Sequence, residues 1–206
     1  MTTAAEATIR SIMASEPFRR AIATLAAEHA RTVRDIVTLT EIEAPSFQEA
    51  RRAAAWREMA LAHGLEDVEI DAEGNVTALR RGRGNGRLVC VAAHLDTVFP
   101  PGTDVRVRRE GTRLLAPGVG DDTRSLAVIL AWNRAMDAAG ITTRDDLLFV
   151  ADVGEEGPGD LRGMRHLFTA GRYKDRISAF ITVDSPDMDH IAVGGVGSKR
   201  YRVTFT

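Results

Sequence analysis

His94-Leu95-Asp96, Asp121-Asp122, Glu155-Glu156 and Asp184 are the residues whose types and spacing can do chemistry in this sequence. Each stands at the end of an apolar run or at the start of a helical one. His94 directly follows residues 88–93 (LVCVAA), and Gly118-Val119-Gly120 leads into Asp121 and Asp122 just before a helical stretch opening at Ser125. Gly154-Glu155-Glu156-Gly157 follows the apolar run 147–150, and Asp184 ends the run 179–183. Carboxylates crowded into one pocket repel and are costly to desolvate unless a cation neutralises them. A divalent metal is the simplest cation that lets Asp121, Glu156 and Asp184 share a pocket with His94. Imidazole plus carboxylates suits zinc, with manganese or cobalt as substitutes. Singly, each segment has a plainer reading. His-x-Asp is common by chance, Asp-Asp before a helix serves as N-cap and dipole partner, Glu-Glu between glycines makes an exposed loop, and Asp184 before Ser-Pro starts a turn. Their joint placement at the ends of core strands favours the metal.

The elements that must position these residues alternate in character. Residues 16–42 carry Ile22, Leu25, Val33, Ile36 and Val37 at helical spacing, and Pro45 ends that stretch. Ser46 and Glu49 read as an S-x-x-E capping box opening a helix that carries Trp56, Met59 and Ala60 and stops at Gly64. Short β-type runs follow at 68–71 and 75–79, around the turn-forming Glu73-Gly74, and 80–87 (RRGRGNGR) reads as an exposed turn. The runs 88–93, 147–150 and 179–183 are continuously apolar, the pattern of strands buried on both faces. Residues 125–139 form a helical stretch ending at Gly140, and 161–170 a shorter one. Strands alternating with helices imply an α/β fold, a mostly parallel mixed sheet with helices on both faces. Ligands in such sheets collect beyond the carboxyl ends of the strands.

Bulk properties exclude other classes. A formal net charge of -2 gives no electrostatic case for nucleic acid or an anionic membrane. The single cysteine, Cys90, excludes an internal disulfide and fits a reducing compartment; inside a buried run it reads as a small core residue. The first residues lack the apolar core of a signal peptide, and no apolar run approaches the ~20 residues that cross a bilayer. The expected location is the cytoplasm. No G-x-S-x-G elbow or G-x-x-x-x-G-K-[ST] loop occurs. His29, His63 and His166 fall in helical stretches and His190 in a turn, and all four read as structural.

The phrases VAAHLDTVFP, APGVGDDTRSLAVIL, DVGEEG and VDSPD, in this order and at these intervals, resemble the M20-type zinc peptidase and amidohydrolase family. That family includes carboxypeptidase G2, peptidase T, aminoacylase-1 and succinyl-diaminopimelate desuccinylase, and the likeness runs from about Val33 onward. The resemblance implies a zinc-exopeptidase-like catalytic domain with two zinc ions in a complete site. His94 and Asp184 would bind one ion, Glu156 the other, and Asp121 would bridge them across a cis peptide bond to Asp122. Asp96 would orient the His94 imidazole, and Glu155 would be the general base in hydrolysis of a peptide or N-acyl amino acid. Two features depart from the family. Thr123 and Arg124 stand where many relatives have a lysine, which blurs the subfamily and hence the substrate. The sequence also reads as residues 1–195 of a partial catalytic domain, with 196–206 opening a lid domain. The rest of that lid, its dimer surface and a final histidine ligand would lie outside the chain. The expectation is therefore one zinc bound better than two, exposed strand edges, and activity that belongs to a longer, homodimeric parent. The alternative is a metal-binding chain without catalysis.

Overall fold

The computed structural model describes residues 3–84, 86–184, 190–195, 197, 201 and 203–205. In chain order the elements are α1 (Ala4–Ala14), α2 (Glu16–Ala27), α3 (His29–Thr40), α4 (Ala50–Ala62), β1 (Glu66–Ile70), β2 (Val76–Arg80), β3 (Leu88–His94), β4 (Arg108–Glu110), β5 (Arg113–Leu115), α5 (Thr123–Ala139), β6 (Asp146–Asp152), a 3-10 turn (Gly157–Gly159), α6 (Arg162–Thr169) and β7 (Ile177–Thr182).

Five strands form one sheet in the order β1-β2-β6-β3-β7. β3 pairs in parallel with β6 on one side and β7 on the other. β2 runs antiparallel to both β6 and β1, so β1, β6, β3 and β7 share a direction and β2 alone opposes it. Successive strand residues point to opposite faces, and both faces are used. Val91, Ala93, Phe149 and Ala151 pack with Leu39, Trp56, Leu126, Ile129 and Leu130 of α3, α4 and α5. Cys90, Ala92, Leu148 and Val150 pack the other way, against Leu167 of α6 and Tyr173. This is the expected α/β architecture. The Trp56 indole N–H donates to the Leu126 carbonyl at 3.1 Å, tying α4 to the buried start of α5.

Four local expectations are corrected. The helical stretch 16–42 is two helices, α2 and α3, divided at Glu28. Periodicity alone did not show this break, at which the Glu28 carboxylate meets Arg134 of α5 at 2.7 Å. Among the described residues no capping box forms at Ser46; α4 opens later, at Ala50, and Ser46 bonds elsewhere. β7 is not buried on both faces. It is an edge strand with Phe180 40% and Ile181 49% exposed, because β3 is its single neighbour among the described residues. A continuous apolar run distinguishes strand from turn but not centre from edge. Finally, α1 and the hairpin β4–β5 are additions to the expected elements. The expected opening of a lid at 196–206 lies largely outside the described residues.

Candidate metal centre

Parallel strands deliver their carboxyl ends to one side of the sheet. His94 ends β3 and lies in register with Asp152, which ends β6. The ladder runs one bond further, from the Leu95 N–H to the Asp152 carbonyl at 2.7 Å. β7 ends two residues before Asp184, where the Val183 N–H still donates to the Ala92 carbonyl at 2.8 Å. Asp121 and Asp122 enter from the loop before α5, joined by a cis peptide bond as the resemblance implied.

The His94 ring is fixed at both nitrogens. Nδ1 stands 2.9 Å from the Asp96 carbonyl, an acceptor that places a proton on Nδ1 and aims Nε2 outward. Nε2 lies 2.8 Å from Asp121 Oδ1. The backbone N–H of His94 donates to Asp122 Oδ2 at 3.1 Å. His94, Asp121 and Asp184 each offer a ligand atom, all within 4.8 Å of one another. His94, Glu155 and Glu156 form a second such group. The structure therefore gathers Asp121 and Asp184 in one group, and Glu155 and Glu156 in another, around the His94 imidazole.

Asp96 is placed differently from a carboxylate that receives an imidazole N–H. Its carboxylate stands 3.7 Å from Nδ1, a charge contact rather than a hydrogen bond. Its oxygens are taken by the Glu155 N–H at 2.9 Å, the Glu156 N–H at 3.1 Å and the Ser46 hydroxyl at 2.7 Å. The carbonyl of Asp96 orients the ring, and the carboxylate holds the loop that carries both glutamates.

The electrostatics are those of a site short of positive charge. Burial disfavours a charged imidazole, yet Asp96, Asp122 and Asp152 outweigh it and lift the His94 pKa to about 10. Burial pushes the Asp122 carboxyl up to about 7, with Asp184 adding to the effect and His94 opposing it. Burial pushes Asp152 up to about 8 despite the opposing charge of His94, with Asp96, Asp122 and Glu155 contributing. Glu155 and Glu156 are raised as well, by burial first and then by neighbouring carboxylates, with His94 opposing. Asp96 is lowered: burial opposes its charge, but the hydrogen bonds it receives and the nearby imidazole prevail. The donor set of one imidazole and several oxygen ligands fits a divalent metal. Asp122 Oδ1 and Ser125 Oγ are buried without a hydrogen-bond partner among the described residues.

Ser46, Glu49, Arg162 and Asp152 belong to this neighbourhood and were not assigned to it from sequence. Asp152 carried a readable signal, a carboxylate closing an apolar strand run. The partners of Ser46, Glu49 and Arg162 are remote in sequence, and no local pattern reports them.

Residues 90–205 match the sequence profile of peptidase family M20/M25/M40. The chain belongs to this family. No curated protein matches it in sequence. Among solved structures, it resembles the M20 relative aminopeptidase PepT from Bacillus cereus, with a TM-score of 0.62 and 20% identity over 76% of this chain and 43% of that one. It also resembles the dipeptidase Dug1p from Saccharomyces cerevisiae, with a TM-score of 0.66 and 15% identity over 81% of this chain and 40% of that one. A dinuclear metal-binding M20 peptidase from Bacillus subtilis matches with a TM-score of 0.56 and 21% identity, over 79% of this chain and 44% of that one. At these identities the likeness speaks for the fold. The M20 chain spans about two fifths of each of these structures. No helix among the described residues is long and apolar enough to cross a membrane.

Proposed function

We propose that this M20 chain is the metal-binding portion of a cytoplasmic, zinc-dependent hydrolase of amide bonds in a peptide or N-acyl amino acid. The observation that carries this reading is the convergence of His94 with Asp121 and Asp184 and with Glu155 and Glu156, each set within 4.8 Å. His94, Asp121 and Asp184 would hold one ion, and Glu156 with Asp121 would hold a second. Zinc, when bound, supplies a Lewis acid that polarises the scissile carbonyl and acidifies water.

The protein's own groups supply the rest. Glu155 accepts a proton from the attacking water and returns it to the leaving nitrogen. Its backbone is anchored through its N–H on Asp96, so its carboxylate works from a fixed base. Asp96 and the Asp122 carboxylate set the orientation of the His94 segment, one through a carbonyl at Nδ1 and the other at the backbone N–H. No feature of nucleic-acid binding enters this reading, and homodimerisation through a lid is proposed for the longer parent.

The test is metal content by elemental analysis after dialysis, followed by turnover of dipeptides and N-acyl amino acids. In a complete enzyme, Glu155→Ala is expected to retain zinc and lose turnover by about 10²–10⁴-fold, the usual worth of a general base. Loss of zinc instead would exchange the roles of Glu155 and Glu156. A zinc-loaded protein that hydrolyses neither substrate class would leave a metal-binding chain without catalysis.

A further inference from the structure

We propose that Arg162 is a positioning residue for the metal centre, holding the Glu155–Glu156 loop through a buried ion pair with Glu49; this rests on the metal-centre reading above. Arg162 opens α6, beyond the 3-10 turn that follows Glu156. Its guanidinium gives both Glu49 oxygens a hydrogen bond of 2.8 Å from Nη2. Nη1 reaches the Glu73 carbonyl and Oε1, both at 2.9 Å. The Glu49 side chain is 4% exposed and that of Arg162 19%, so the carboxylate end of the pair is shielded from water and salt. Phe47 covers it, with its ring centroid 5.2 Å from the guanidinium carbon.

The arm of Arg162 also lies flat on the loop. A Cβ added at Gly154 would stand 2.6 Å from Arg162 Cγ, so the methylenes rest against the backbone immediately before Glu155. Glu49 in turn accepts the Phe47 N–H at 3.0 Å and holds the turn that presents Ser46. Ser46 donates to Asp96 at 2.7 Å, and Asp96 accepts the N–H groups of Glu155 and Glu156. The links close a ring: Gly154 to Arg162, Glu49, the 46–49 turn, Asp96, and back to Glu155. Glu155, Glu156 and Asp121 repel one another, and this ring holds the loop against that repulsion from behind. The task needs an arginine, because only its planar fork meets two carboxylates and a carbonyl at once.

The experiment titrates the full chain with zinc and records thermal unfolding in chelator, for wild type, Arg162→Lys, Ser46→Ala and Arg134→Lys. Arg134, a buried arginine paired with Glu28 at 2.7 Å and Asp35 at 3.0 Å in the α3–α5 seam, serves as the structural control. Arg162→Lys and Ser46→Ala are expected to weaken zinc binding ~10–100-fold, the usual effect of losing a group that supports metal ligands. Arg134→Lys is expected to lower the unfolding midpoint and leave zinc affinity at the wild-type value. Wild-type affinity in Arg162→Lys overturns the proposal, as does an equal loss in Arg134→Lys. If Arg162→Lys fails to fold, Glu49→Gln, which removes the carboxylate of the same ion pair, decides the question by the same loss of zinc affinity. A wild-type chain that binds no zinc overturns the metal-centre reading itself, a result distinct from normal affinity in the variants.

Discussion

His94 presents a single nitrogen to the centre, Nε2, already 2.8 Å from Asp121 Oδ1. Its Nδ1 is committed to the Asp96 carbonyl, so Nε2 serves both the set with Asp121 and Asp184 and the set with Glu155 and Glu156. One lone pair binds one ion. Zinc titration of the chain is therefore expected to show one tight site and a second at least about tenfold weaker, since a lost protein ligand is a large fraction of metal affinity. Two equal sites by calorimetry would contradict this. Asp96 gives a second prediction at the same scale. Both of its oxygens accept, from the Glu155 and Glu156 N–H groups and the Ser46 hydroxyl. In Asp96→Asn one of those oxygens becomes an amide donor facing an N–H, and a buried unpaired donor costs about 1–3 kcal/mol. Thermal unfolding in chelator should drop by about 2–4 °C for each kcal/mol. An unchanged midpoint would mean that the carboxylate holds nothing. His94, Glu155, Glu156 and Asp184 are legible because each follows an apolar run, and Asp121 because it precedes a helical one; the hydrogen-bond partners of Asp96 are not, because bonds between distant segments leave no spacing in the sequence.

At the scale of elements, the loop between β6 and α6 is built on close backbone approach. A Cβ at Gly163 would stand 2.2 Å from Asn75 Oδ1 and 2.5 Å from the Val153 carbonyl. Asn75 is itself committed, accepting the Val153 N–H at 3.1 Å and donating to the Gly163 carbonyl at 3.0 Å. Gly163→Ala must push α6 off β6 and is expected to cost about 2–3 kcal/mol in denaturant unfolding, the upper range for overpacking; a neutral result would show that α6 is loosely seated. The helical layer carries a pH dependence of its own. His63, ending α4, sits between Arg134 of α5 at 3.2 Å and Arg31 of α3 at 3.3 Å, with Glu28 and Asp35 nearby. Burial first, then the two guanidiniums, lower its pKa despite the acidic neighbours. The unfolded chain then takes up a proton that the folded chain refuses, so stability is complete above the ordinary histidine pKa of about 6.5 and is lost as pH falls below it. His63→Gln should flatten the unfolding midpoint between about pH 6.5 and 5. A slope equal to wild type would place the acid sensitivity elsewhere. Elements that are their own explanation, as at 88–93 and 125–139, are legible in the sequence. Ser46-x-x-Glu49 is not legible in this way, because a capping pattern and a pair of residues with remote hydrogen-bond partners are the same four letters.

For the whole molecule, the sheet is asymmetric. At one end the edge strand β1 pairs antiparallel with β2, and at the other β7 presents a row of backbone donors and acceptors with the parallel β3 as its single described neighbour. Phe180 leans on Phe168 of α6, ring centroids 5.4 Å apart, while Ile181, in register with Val91, lies on the opposite face. The same apolar run that made β7 look buried thus leaves apolar side chains on both faces of an edge, the combination that templates strand pairing between molecules. The chain is accordingly expected to self-associate as concentration rises, and light scattering or sedimentation would record it. A lysine on an edge strand blocks such pairing by charge and hydration. Ile181→Lys should suppress association while shifting unfolding free energy by no more than about 0.5 kcal/mol, as for other exposed positions. Association that persists unchanged in Ile181→Lys would locate the contact away from β7, and a large loss of stability would show that Ile181 is covered in solution.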